Sequence, residues 1–133
     1  MSALRKKPAA LIQAARQVRR NAHAPYSKFR VGAAVQDERG RVHVGCNVEN
    51  ASYGLTVCAE RNAIAAAVAA GAKAVTAVAV VTDARPFATP CGACRQVIAE
   101  LAGDEVAVYL AGPSGAAHDT VTVGAILPRA FRL

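Results

Sequence analysis

The chain has no tryptophan, one methionine, and only three phenylalanines and three tyrosines among 133 residues. Its core must therefore come from valine, leucine, isoleucine and closely packed alanine, of which there are 32. No run of about 18 apolar residues occurs, so no transmembrane helix is expected. The most apolar stretch, Ala63 to Val81, is alanine-rich and broken by Lys73. Arg5, Lys6 and Lys7 are followed by polar and basic residues, without the apolar core and cleavage site of a secretory signal. Four cysteines in such a chain are expected to be reduced cytoplasmic thiols, serving metal binding or catalysis before disulfides.

Residues 1–30 contain no acid and hold eight of the sixteen basic residues, so the net charge of +7 is a local N-terminal feature. An arm for a polyanion is one reading. The other is a solvated helix face. The second is favoured, because no aromatic side chain interleaves with these charges before Tyr26 to stack on bases. Hydrophobic residues at 53% and charged residues at 19% indicate a globular protein, expected to form one domain over residues 1–133.

Apolar spacing predicts a helix from Pro8 to Asn21, with Leu11, Ile12, Ala15 and Val18 on one face and Pro8 in its first turn. Two strands, Phe29 to Gln36 and Arg41 to Asn47, flank the turn Asp37-Glu38-Arg39-Gly40. A helix from Val57 to Ala70, a buried strand from Val75 to Thr82, a helix from Pro90 to Leu101 and a strand from Glu105 to Leu110 follow. A short strand at Thr120 to Val123 and a turn or helix from Ile126 to Phe131 close the chain. The order implies an α/β fold, with one mixed sheet covered by helices, parallel crossovers in the second half and a hairpin at one side.

Cys91-Gly92-Ala93-Cys94 opens the second of the internal helices. Residues three apart on a helix share a face, and a helix N-terminus favours thiolates. Zinc, a redox dithiol and buried thiols all fit that pair alone. Cys58 stands thirty-three residues before Cys91, also at a predicted helix start. A helix–strand–loop crossover between them brings the two starts together, giving three thiolates and one open position, the pattern of catalytic zinc. Cys46, beside Val42 and Val44 on the apolar face of a strand, is expected in the core. His23, His43 and His118 have no spaced partner and read as surface residues.

Glu60 follows Cys58 by two, where a carboxylate can move the proton of a metal-activated water. Against this, residues two apart on a regular helix point roughly 200° apart. A first-turn acid favoured by the helix dipole fits equally well. Arg61 and Arg95 each follow a site residue, and either can bond a sulfur and offset the net negative charge of zinc with three thiolates. Surface arginines fit equally.

Cys58-Ala59-Glu60-Arg61 and Pro90-Cys91-Gly92-Ala93-Cys94 resemble the signature of zinc nucleoside deaminases, a motif with its glutamate role already established for that chemistry. Tyr26 to Ala34, Gly45 to Gly54, Cys91 to Gln96 and Leu127 to Phe131 extend the resemblance to the cytidine deaminase family over nearly the whole chain. The resemblance implies a three-layer α/β/α fold around a five-stranded mixed sheet, and a homotetramer with shared active sites. It implies zinc on Cys58, Cys91 and Cys94, with Arg61 bonding those cysteines. Glu60 would shuttle protons while activated water attacks C4 of cytidine or deoxycytidine, releasing ammonia in pyrimidine salvage. Asn47 and Glu49 would hold the ribose hydroxyls, and Phe29 would pack on the pyrimidine. Backbone near Ala59 and Cys91 would meet the base edge. Ala51, Tyr53 and Phe131 would approach a neighbouring subunit's ligand.

Arg30 and Asn62 stand where many members of that family differ. Three alternatives remain open. A deaminase of a cytosine nucleoside antibiotic such as blasticidin S shares the zinc motif. A nucleic-acid-editing deaminase would use the basic N-terminus. A non-enzymatic zinc module would need Cys46 to close the site.

Overall fold

The computed structural model describes residues 2–133, with side chains from Pro8 onward. The side chains of Arg5, Lys6 and Lys7, singled out above, lie outside the described residues. The elements are α1 (Ser2–Arg19), β1 (Gly32–Asp37), β2 (Val42–Cys46), α2 (Ala59–Ala69), β3 (Val75–Val81), α3 (Gly92–Leu101), β4 (Ala107–Ala111), β5 (His118–Thr122) and α4 (Val123–Ile126). A single 3-10 turn, Tyr53–Leu55, lies between β2 and α2. α1 begins upstream of its expected start, leaving Pro8 inside the helix rather than in its first turn. Proline removes one helical hydrogen bond, but Leu4, Arg5, Lys6 and Lys7 before it are all good helix formers.

The strands form one five-stranded sheet in the order β2-β1-β3-β4-β5. β3 and β4 are parallel; the other three pairs are antiparallel. Only one adjacent parallel pair therefore exists, because β1 lies between β2 and β3 and separates the strands joined by the α2 crossover. On one face, Leu11, Ile12 and Ala15 of α1 pack on Ala34, Ala77, Ala79 and Val81. On the other, Ala63, Ala67 and Ile98 of α2 and α3 pack on Ala33, Val35, Val78, Val80 and Val108. This is the three-layer α/β/α arrangement. No helix of the described residues is long and apolar enough to cross a membrane.

Small residues make the close layer spacing possible. A Cβ added at Gly32 would lie 2.0 Å from the Ala15 carbonyl oxygen in α1. Gly32→Ala forces α1 off the sheet, with an expected cost of about 1–3 kcal/mol or more. A lowered urea midpoint at unchanged m-value would report it, and an unchanged midpoint would contradict this packing.

The hairpin departs from expectation. Val42 and Val44 are 46% and 40% exposed, and Cys46 is only half-buried, so this face is not core. α1 packs across β1, β3 and β2 but leaves these side chains at the β2 edge partly open. His43 is not a free surface residue. Its Nε2 lies 2.8 Å from Oδ2 of Asp37, whose side chain is inaccessible to solvent. His118 is exposed at the start of β5, edge-on to the Tyr109 ring.

Asp37 anchors the hairpin turn. Its Oδ1 accepts the backbone N–H groups of Arg39 and Arg41, and its Oδ2 accepts Arg41 Nε at 2.8 Å. Burial pushes its pKa up. The bonds to His43, to the two backbone N–H groups and to the Arg41 side chain outweigh this and hold the carboxyl well below the usual range. A depressed folded-state pKa contributes stability above the unfolded value of about 3.9, and that stability is lost as pH falls toward the folded value. The urea midpoint of wild type should therefore exceed that of Asp37→Asn most at neutral pH, with the gap narrowing below about pH 4. A gap independent of pH would show that the charge of Asp37 does not matter.

Candidate metal centre and its cleft

Cys58 and Cys91 are the N-cap residues of α2 and α3, both in extended backbone conformation and neither spending its sulfur on a capping bond. Cys94 follows in the first turn of α3 and is fully buried. Cys58 Sγ lies 3.9 Å from Cys91 Sγ, which lies 3.4 Å from Cys94 Sγ. All three sulfurs fall within 4.8 Å of one another, and the group could hold a metal ion. Zinc–sulfur bonds of about 2.3 Å in a tetrahedron require sulfurs about 3.8 Å apart, so the donor set fits zinc. Neither Cys46 nor any histidine belongs to this group.

The 200° objection to Glu60 dissolves at the cap. Cys58 has φ −70° and ψ 155°, so helical rotation does not separate it from Glu60. Glu60 is 5% exposed and lines the same cleft as Cys58 and Cys91. Burial raises its pKa, opposed by its own backbone N–H and by the Arg61 charge. In the metal-free chain burial and the charge of Glu60 also push the Cys94 thiol up. Burial acts on Cys91 too, but the backbone N–H of Cys94 and the neighbouring thiols outweigh it and lower the Cys91 thiol.

The two arginines differ. Arg61 Nη2 lies 3.7 Å from Cys58 Sγ and donates to the Thr56 carbonyl at 3.4 Å. Arg95 does not reach a sulfur. Its guanidinium donates to Pro90 O at 2.7 Å, Ile126 O at 2.8 Å and Thr89 Oγ1 at 2.9 Å. One residue beyond Cys94, it is turned about 100° away from the sulfurs and clasps the loop that carries Cys91.

The cleft encloses about 220 Å³. Ala59 is fully buried beside it, and Phe29, 38% exposed, forms part of the wall. Asn47 also lines it, with Nδ2 donating to Phe29 O at 2.8 Å and Oδ1 accepting the Val31 N–H at 2.9 Å. Glu49 lines an adjoining depression with Ser27 and Tyr53. It accepts the N–H groups of Tyr26 and Ser27 at 3.0 and 3.2 Å and the Ser27 hydroxyl. The Ser27 hydroxyl is the main cause that lowers its pKa. Ala51 is exposed, as are Tyr53 at 85% and Phe131 at 70%, and none of the three lines the metal cleft. Thr82, Ala88 and Thr89 do line it, and sequence reading missed them. The position of Thr89 beside Pro90-Cys91 was the available signal.

The family model of the cytidine and deoxycytidylate deaminase zinc-binding region matches residues 5–111. A cytidine deaminase of Halalkalibacterium halodurans is 50% identical over 121 residues, covering 91% of each chain. One of Sporosarcina psychrophila is 47% identical over 121 residues, covering 91% of this chain and 88% of its own. The crystal structure of a cytidine deaminase from Burkholderia pseudomallei superposes with TM-score 0.87 at 48% identity, covering 92% of this chain and 98% of its own.

Proposed function

The chain belongs to the cytidine and deoxycytidylate deaminase family, and on that premise we propose that it hydrolyses cytidine and deoxycytidine to uridine and deoxyuridine with release of ammonia. The observation that carries this reading is the convergence of three sulfurs beside a buried carboxylate, in a cleft walled by Phe29 and Asn47.

Cys58, Cys91 and Cys94 would hold zinc, which when bound supplies a Lewis acid that activates water for addition at C4. Glu60 carries protons to ring N3 and then to the C4 amine, which leaves as ammonia. Its burial keeps bulk water from competing for that proton. Arg61 restrains Cys58 and offsets thiolate charge. Phe29 stacks against the pyrimidine, and backbone groups near Ala59 and Cys91 meet the base edge. Asn47 keeps one amide hydrogen and one lone pair beyond its two bonds, and Glu49 keeps one acceptor site beyond its three. Those spare sites suit the sugar hydroxyls.

Ala51, Tyr53 and Phe131 are then left for a neighbouring subunit's ligand. Their exposure, with that of Leu55 and Val48, supports a homotetramer with shared sites. Residues 1–133 act as one unit, in the cytoplasm, in pyrimidine salvage. The separation of Cys46 from the three sulfurs speaks against a closed zinc module.

A substrate panel tests the reading. Zinc-loaded protein should convert cytidine and deoxycytidine, and leave blasticidin S and cytosine-containing single-stranded oligonucleotides unchanged. Conversion of only the antibiotic or the oligonucleotide would replace the assignment. Sedimentation at four chain masses would bear out the tetramer, and a monomer would overturn it.

A further inference from the structure

Asn47 can contact a sugar only if its peptide unit is held in one orientation relative to the helix that carries Glu60. Most of the bonds that hold it come from the chain before β1. The Asn47 N–H donates to Val31 O at 3.3 Å, its carbonyl accepts from His23 N at 3.0 Å, and its side chain spans Phe29 and Val31. None of these reaches α2. The link to α2 is Asn62, whose Nδ2 donates to the Cys46 carbonyl at 2.8 Å. That carbonyl is the other half of the peptide unit leading into Asn47, so Asn62 and Val31 grip one peptide plane from two sides.

A steric stop sits beside this bond. A Cβ at Gly45 would lie 2.4 Å from Ala63 N and 2.6 Å from Ala59 O, so β2 and α2 are already in backbone contact. Gly45 sets how closely the helix approaches, and the Asn62 bond prevents its withdrawal. Among the described residues it is the only side-chain hydrogen bond between α2 and β2.

We propose that Asn62 is a positioning residue that registers the sugar end of the cleft (Asn47) against its proton-transfer end (Glu60), and so sets discrimination for sugar hydroxyls. This rests on the nucleoside reading above. Asn62→Leu keeps the branched shape, with somewhat more bulk, favours the helix and removes the bond. The pairing predicts that its kcat/KM on cytidine falls about 10- to 100-fold, mainly through KM. On 2′,3′-dideoxycytidine, which lacks the hydroxyls at issue, the fall should be less than about threefold, since no bidentate sugar contact is lost. Calorimetric affinity for uridine should weaken with the cytidine KM, at unchanged zinc content. Asn62→Ala repeats the comparison if the leucine variant does not fold. An equal fall on both substrates, a fall in kcat alone, or wild-type behaviour would overturn the positioning role. A wild type that converts neither nucleoside would instead bring down the deaminase reading, and the proposal with it.

Discussion

Glu60→Gln should retain zinc and lose about 10²- to 10⁴-fold in kcat on cytidine. The side chain is 5% exposed, so no bulk water stands ready to replace it as a proton carrier. Glutamine fills the same space and keeps a hydrogen-bonding end, but it neither accepts nor releases a proton at neutral pH. Ground-state contacts with the nucleoside survive, and KM should change little. Zinc per chain and steady-state kinetics, measured on one preparation, separate this from loss of metal. A variant within about tenfold of wild type would remove Glu60 from proton transfer.

Cys94→Ala should abolish zinc retention and activity together. Cys94 is fully buried and is one of only three sulfurs in the cluster. Two remaining thiols leave too few ligands for a stable site, because three protein ligands are the usual minimum for catalytic zinc. Zinc per chain should fall from near one to near zero, by atomic absorption after dialysis against a weak chelator. Full zinc in this variant would mean that the metal sits elsewhere. In the metal-free wild type, burial and Glu60 favour the protonated Cys94 thiol. Binding must expel that proton, so apparent zinc affinity should rise with pH through the neutral range.

Cysteine spacing made the metal cluster legible before any coordinates, because helix starts in a crossover fold have few places to go. Alternating apolar residues likewise marked the strands and the order of elements. What spacing could not show was backbone conformation at the caps. Whether Glu60 faces the sulfurs depends on Cys58 being extended rather than helical, and side-chain pattern does not encode that angle. The exposed face of Val42 and Val44 was misread for a related reason. Alternation identifies an apolar face but not how fully a helix covers it. The role of Arg95, which spacing left open, and that of His43, which read as a surface residue, depend on partners set by tertiary structure, Ile126 and Asp37. The bond from Asn62 to Cys46 depends on α2 lying against β2, which no sequence pattern encodes.

The proposed hydrolytic site for a cytosine nucleoside rests on three cysteines and Glu60. Its most direct test is the stoichiometry of one reaction: zinc-loaded wild-type protein with cytidine, with uridine and ammonia measured together. One uridine and one ammonia for each cytidine consumed is the predicted result. Intact cytidine, with zinc at one per chain, would contradict that assignment.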